Sequence, residues 1–415
     1  MINMTLSQMN TNSLKRWPTI KLLIAISSIY ALQSAIGGLT FIGLPAILRS
    51  EGYDHHLIGM VFLAMAPWSL KFLWAPYVEK YRIKNDGSKR SKAIILIGQF
   101  ILILCLFLIS QLNDFKWILC ALIFIAVIAS TIDIAADALT IEQVPRNNQN
   151  WGSFAQTGSS YIGILIGGGL FVTLVSYFNP EKSFIIIGLL LGILSVPLCF
   201  IKEEHAKAAQ TKHTPSLIYA LKRKEVIYGL IMISIYAIGN RLSLSMIGPL
   251  LVDSKISLYY IGLVNGIGGA LLGLAGALAG SVLLQNQTKR TSLLFITFCK
   301  LITVGGITLI CLTPEAPKLW ILISTLLLSY TSAMGFVIIY AILMSLSSKH
   351  QAGVDFTLFQ SADTAIAVIA GIISGYLVNL IGYSNFYFIA TSFSLITCIS
   401  FIHLTKITEG PKTYR

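Results

Sequence analysis

The sequence predicts an all-α polytopic membrane protein with twelve transmembrane helices, arranged as two six-helix, pseudo-symmetric halves. Three observations carry this reading. Of 415 residues, 55% are hydrophobic and 11% charged, with a mean hydropathy of +0.77. A soluble chain of this size could not cover so much apolar surface. Apolar runs of about 20 residues, the length a helix needs to cross a bilayer, recur from one end of the chain to the other. The alternation expected of a membrane β-barrel is absent.

Polar breaks divide the apolar text into spans at roughly 18–48, 57–78, 91–112, 117–139, 151–178, 183–201, 226–252, 258–284, 292–312, 318–345, 353–379 and 385–404. The first run begins near Trp17, carries Tyr30 and Gln33, and lacks an A-x-A site, so it reads as a first span rather than a cleavable signal. With the N-terminus inside, most of the 30 basic residues fall in the tails and even-numbered connections, chiefly in EKYRIKNDGSKRSK (79–92) and in 202–224. Arg49, Lys116, Lys182, Lys255 and Lys318 fall on the other side. This bias places both termini in the cytoplasm and makes the net charge of +13 topogenic, not a nucleic-acid surface. The six cysteines all lie in apolar runs without a C-x-x-C pair, which favours buried small hydrophobes over disulfides or metal ligands.

The longest hydrophilic connection, 202–225, separates a bundle over 1–201 from one over 226–415. The halves resemble each other: YALQSAIGGLTFIGLP (30–45) is similar to YAIGNRLSLSMIGP (236–249), and LIGMVFLAMAP (57–67) to YIGLVNGIGGA (260–270). Parallel repeats of this kind resemble the major facilitator fold. That resemblance implies that spans 1, 4, 7 and 10 line a central cavity and that spans 2, 5, 8 and 11 form the contact between halves. G-x-x-x-G pairs at Gly163/Gly167, Gly269/Gly273, Gly276/Gly280 and Gly371/Gly375 fall in spans 5, 8 and 11 and let backbones approach closely.

Ionisable residues inside spans are expensive and mark substrate or ion pathways. Arg241, after Asn240 in span 7, cannot shed its proton and needs an anion; a clamp for a carboxylate-bearing substrate and a structural ion pair with an aspartate both fit. Lys300, in a span expected at the periphery, suits snorkelling or packing. Asp133 and Asp137 lie four residues apart on one helical face toward the cytoplasmic end of span 4, and Asp363 stands at mid-span 11. Burial disfavours an ionised carboxyl and a nearby cation favours it, so a site balanced between the two can load and release a proton. Lys71 in span 2 is the candidate balancing cation, and a charge network that closes a gate is the alternative. Tyr30, Gln33, Ser34, Tyr236, Asn240 and Tyr330 complete a polar, partly aromatic binding cavity.

Enzyme readings find little support. His350 and Asp355 match an H-x-x-x-x-D acyltransferase pattern by coincidence, in a tight connection. No P-loop, G-x-S-x-G or H-E-x-x-H motif is present. The His55–His56 pair is too few ligands for a metal. No cofactor or resident metal is expected.

Two stretches carry a closer resemblance. PWSLKFLWAPYVEKY (67–81) resembles the element closing span 2 in one branch of the major facilitators, and DIAADALTIEQVP (133–145) resembles that branch's ending of span 4, with Ile132 and Ala138 replacing its usual polar residue and glycine. GSFAQTGSSYIGILIGGG (152–169) is similar to the branch as well. It includes AmpG-type muropeptide permeases, acetyl-coenzyme A transporters and siderophore permeases of the RhtX/FptX (rhizobactin/pyochelin importer) type. The resemblance implies a cytoplasmic gate motif at Glu79 and Lys80. Residues 40–76 are more similar to the siderophore permeases. The expectation is therefore a proton-coupled, monomeric importer of an anionic siderophore in the bacterial inner membrane, downstream of an outer-membrane receptor, with iron only as part of the substrate. A muropeptide permease is the alternative. A membrane-embedded acyltransferase or a non-transporting sensor is the reading from another class.

Overall fold

The computed structural model describes residues 3–50, 61–84, 86–112, 114–203, 214–256, 260, 262–313 and 317–408. His55, His56 and residues 204–213 of the expected linker over 202–225 lie outside the described residues. The chain forms two compact units. Unit 1 comprises Met1–Leu217 and Ser347–Thr357; unit 2 comprises Ile218–Leu346 and Leu358–Arg415.

In unit 1, α1 (Asn3–Gly38) runs through a π-helical turn, Leu39–Gly43, into α2 (Leu44–Ser50). The short helices α3 (Ala66–Leu70) and α4 (Ala75–Arg82) follow. Then come α5 (Ser91–Ile109), α6 (Phe115–Gln143), α7 (Gln149–Ile164), a second π turn at Leu165–Leu170, α8 (Phe171–Tyr177) and α9 (Pro180–Cys199). Unit 2 holds α10 (Leu217–Lys222), α11 (Lys224–Ser245), α12 (Ile247–Asp253), α13 (Gly269–Asn286), α14 (Lys289–Leu312), α15 (Lys318–Leu346) and most of α16 (Ala352–Thr408). Among the described residues there is no strand; Ile83 and Lys89 make an isolated bridge.

Among the described residues, ten helical stretches are long and apolar enough to cross a membrane. They cover the expected spans except 57–78, and the last, Ala352–Leu404, contains both 353–379 and 385–404. Gly382, at φ 74°, turns the chain between those two, a conformation that suits glycine because it has no Cβ. The second span is broken for a local reason. Pro67 and Pro76 sit in the first turns of α3 and α4, where their missing N–H groups cost nothing, and 3₁₀ turns precede each helix. Three other helix starts are capped by a side chain: Asp114 accepts from the Lys116 amide (2.8 Å), Asn179 from Lys182 (3.0 Å) and Thr288 from Thr291 (3.2 Å).

Each unit has its own core. Ile26, Leu32, Leu102, Ile132, Phe171 and Leu191 are fully or nearly fully buried together in unit 1, as are Leu251, Val304, Phe386 and Tyr387 in unit 2. A Cβ on Gly163 or Gly167 would overlap the Ala31 and Ala35 carbonyls of α1, and one on Gly276 or Gly280 would overlap those of Tyr330 and Met334 on α15. These glycines therefore serve close packing inside each unit, while Gly371 and Gly375 have open space before them. The cysteines are free; Cys105 is buried, Cys120 and Cys199 are exposed and the other three lie in between, so the expectation of buried sulfur holds only in part.

Candidate transport site

In unit 1, the four-residue spacing on α6 turns both aspartates toward Lys71, between α3 and α4. Asp133 pairs directly with Lys71, and the Asp137 carboxylate lies 3.8 Å from the same ammonium. Tyr30 of α1 donates to Asp137 Oδ1 at 2.5 Å, and Gln156 of α7 donates to the same oxygen at 3.1 Å. With its amide turned to satisfy both ends, Gln33 donates to Asp133 Oδ1 (2.9 Å) and accepts from the Asp133 amide (3.1 Å). Lys71 is 1% exposed, Asp137 0% and Asp133 8%. Charges this deeply buried persist only when paired and hydrogen-bonded. The two carboxylates share Lys71, so two acidic side chains face one ammonium.

A second cluster closes the end of α4. Arg82 donates to Glu79 at 2.6 and 3.3 Å, to Glu142 at 2.6 and 2.8 Å, and to Ser91 at 3.2 Å. Lys89 reaches Glu142 at 2.8 Å. The connection preceding α16 docks here too. The Gly353 amide donates to Glu79 (3.2 Å), and Lys349 donates to the Glu142 carbonyl (3.3 Å). Burial works against the Arg82 charge, yet Glu79 and Glu142 outweigh it and hold the guanidinium above its ordinary pKa. Burial pushes the Glu79 carboxyl up against the pull of Arg82.

In unit 2, Arg241 and Asp363 form a fork-to-fork pair, Nε to Oδ1 at 3.0 Å and Nη2 to Oδ2 at 2.6 Å. Tyr340 donates to Asp363 Oδ2 at 2.7 Å, and the guanidinium lies 4.8 Å over the Phe336 ring. The Arg241 side chain keeps 28% of its surface accessible, against 2% for Asp363.

Of the residues expected to matter, the fold brings Tyr30, Gln33, Lys71, Asp133 and Asp137 into one cluster, and Arg241 and Asp363 into another. Tyr236 is buried edge-on against Phe336 (5.7 Å), next to Asn240, whose amide atoms have no partner among the described residues. Ser34 is half-buried against Gly163, and Tyr330 packs its backbone on Gly276. Lys80 stands apart: its side chain is exposed, and Arg82 occupies the buried position beside Glu79. Lys300 does not snorkel. It is 4% exposed and donates to Ser332 Oγ at 2.5 Å. Asp355 accepts from the Ser348 amide and from Gln351, both at 2.8 Å, which is a helix-entry role. Sequence reasoning passed over Arg82, Glu142, Gln156 and Tyr340. The i, i+3 spacing of Glu79 and Arg82 was the available signal for the first. Among the described residues, no group of three or more metal-ligating side chains is placed to hold an ion.

Membrane-crossing helices in two units, with paired charges held inside the spans, define a polytopic α-helical carrier. The profile of the Major Facilitator Superfamily matches residues 24–362, and the chain belongs to that superfamily. It is a multi-pass secondary transporter of small molecules, not an enzyme. It is similar to a transporter named AmpG 4 from Rickettsia felis, 22% identical over 88% of this chain and 92% of that one. It is similar also to the anhydromuropeptide permease of Escherichia coli K12, 22% identical over 88% of this chain and 77% of that one. Among solved structures, a bacterial homologue of the iron transporter ferroportin in an outward-facing state matches with a TM-score of 0.70 at 14% identity, over 94% of this chain and 99% of that one. The Escherichia coli fucose:proton symporter FucP matches with 0.68 at 14% identity, over 92% and 97%. At this identity the structural likeness shows the fold alone.

Proposed function

We propose that the protein is a proton-coupled importer of an anionic glycopeptide of the anhydromuropeptide class, in a bacterial inner membrane with both termini cytoplasmic. The observation that supports coupling is the cluster in which Asp133 and Asp137 share Lys71. Two carboxylates facing one ammonium accept one proton to reach neutrality, and release it when water or substrate reorganises the site. Asp363 is the second carrier. Its protonation would dissolve the fork with Arg241 and leave a guanidinium for a substrate carboxylate, with Asn240, Tyr236 and Tyr330 of the same unit supplying polar and aromatic contacts. Glu79 and its partners act as the cytoplasmic gate. The similarity, over 88% of this chain and 77% of the other, to a permease whose name specifies anhydromuropeptides favours that substrate class.

Residues 40–76, with their closer resemblance to siderophore permeases, favour a second reading: uptake of an anionic siderophore supplied by an outer-membrane receptor. Uptake into energised vesicles separates the two. Labelled anhydromuropeptide accumulating under an imposed proton gradient, with ferric siderophore excluded, is the expected result. The reverse selectivity overturns the substrate assignment.

A further inference from the structure

We propose that the outer face of α4 and the hairpin after it form a headgroup site for an anionic phospholipid. The site is a groove of about 610 Å³ lined by Tyr77, Lys80, Tyr81, Lys84, Asp86 and Arg90. The loop sorts its bases. Arg82 and Lys89 turn inward and are taken by Glu142 at 2.6 and 2.8 Å. Lys80, Lys84 and Arg90 turn to the groove and enter no ion pair among the described residues. The one carboxylate there, Asp86, accepts from the Ser88 amide at 2.8 Å. Three cations against one acid leave the groove positive.

The hairpin holds these bases in place. The Arg90 amide donates to the Arg82 carbonyl at 2.8 Å, the Lys84 amide to Ser88 at 3.0 Å, and Gly87 turns the chain at φ 82°. The Arg90 guanidinium lies 4.9 Å over the Tyr81 ring, which orients it toward the opening.

A lipid, rather than free phosphate, is indicated by what precedes the groove. Tyr77 and Tyr81, four residues apart on α4, are 75% and 63% exposed, and Leu70 and Leu73, before the break at Trp74, are 46% and 52% exposed. The order along the chain is exposed leucine, exposed tyrosine, then unpaired base. It matches acyl chain, glycerol region, then phosphate at a membrane surface, where tyrosines concentrate and bases attract acidic lipids. A soluble phosphate would use the bases and leave the apolar strip without a role.

The test uses the full-length protein in detergent, with lipid retention read by native mass spectrometry from an equimolar mixture of cardiolipin, phosphatidylglycerol and phosphatidylcholine. The wild type should retain the anionic lipids about fivefold over phosphatidylcholine. K80Q/K84Q/R90Q should lose that preference, and K116Q, a substitution of an exposed base elsewhere, should keep it. Y77A/Y81A, with the bases intact, should lower retention in between. Millimolar inorganic phosphate should not displace the lipid. Equal retention by the triple variant and the wild type overturns the site, and full displacement by inorganic phosphate reassigns it to a free anion.

Discussion

Arg241 and Asp363 meet as two parallel forks, 3.0 and 2.6 Å apart, across 122 residues of sequence. Removing one partner of such a pair leaves the other charge buried. D363N should therefore destabilise by on the order of 3 kcal/mol, the low end for buried pairs because Arg241 keeps some solvent access. R241Q/D363N should lose less than D363N alone, since neither charge remains. Thermal unfolding of the purified variants, with R241Q alone beside them, checks this, and a double-variant loss equal to the sum of the two single losses would mean the pair is not coupled.

The aspartates of α6 should differ from each other. Asp137 is fully buried and accepts from Tyr30, while Asp133 pairs directly with Lys71. D133N should lower stability as well as uptake, because Lys71 loses its nearest counter-charge. D137N should spare stability more and act chiefly on proton-driven accumulation. Tm in detergent alongside vesicle uptake separates the two effects.

The cluster around Arg82 carries a pH signature. Burial raises the Glu79 carboxyl above the usual glutamate range. A group whose pKa rises on folding contributes stability that is present below its unfolded pKa and is lost as pH climbs through the folded value. E79Q removes this contribution. Stability of the wild type, measured by thermal unfolding from acid upward, should fall across that window, and the E79Q profile should be flatter there. R82K should not rescue R82A, because lysine lacks the fork that holds Glu79 and Glu142 together.

Packing makes its own prediction. G167A drives a methyl into the Ala35 carbonyl and should cost about 1–3 kcal/mol, the range for overpacking. G371A, with nothing within 4 Å of its added carbon, should be neutral. The yield of monodisperse protein and its Tm check the contrast.

Much of this was legible in the sequence, for reasons that differ by residue. Apolar runs mark spans because hydrocarbon demands internally satisfied backbone, which a helix provides. Asp133, Asp137, Asp363 and Arg241 stood out because charge in hydrocarbon needs a reason. That Arg241 is matched to Asp363 was one of two open readings, since pairing across 122 residues depends on how α11 and α16 pack. Lys80 and Arg82 look equivalent in sequence, and only the rotation of α4 after the break at Trp74 decides which one is buried. Span 57–78 read as continuous because its prolines fall where a short helix can begin as easily as a long one can kink. Lys300 suits either snorkelling or packing in sequence, and the helix packs it beside Ser332.

The central claim is that buried carboxylates carry the coupling proton. The most direct measurement is accumulation of labelled anhydromuropeptide in right-side-out vesicles under an imposed proton gradient, beside counterflow without one, for the wild type and D137N. The account predicts that D137N abolishes gradient-driven accumulation and retains counterflow. Accumulation by D137N at the wild-type level would contradict it.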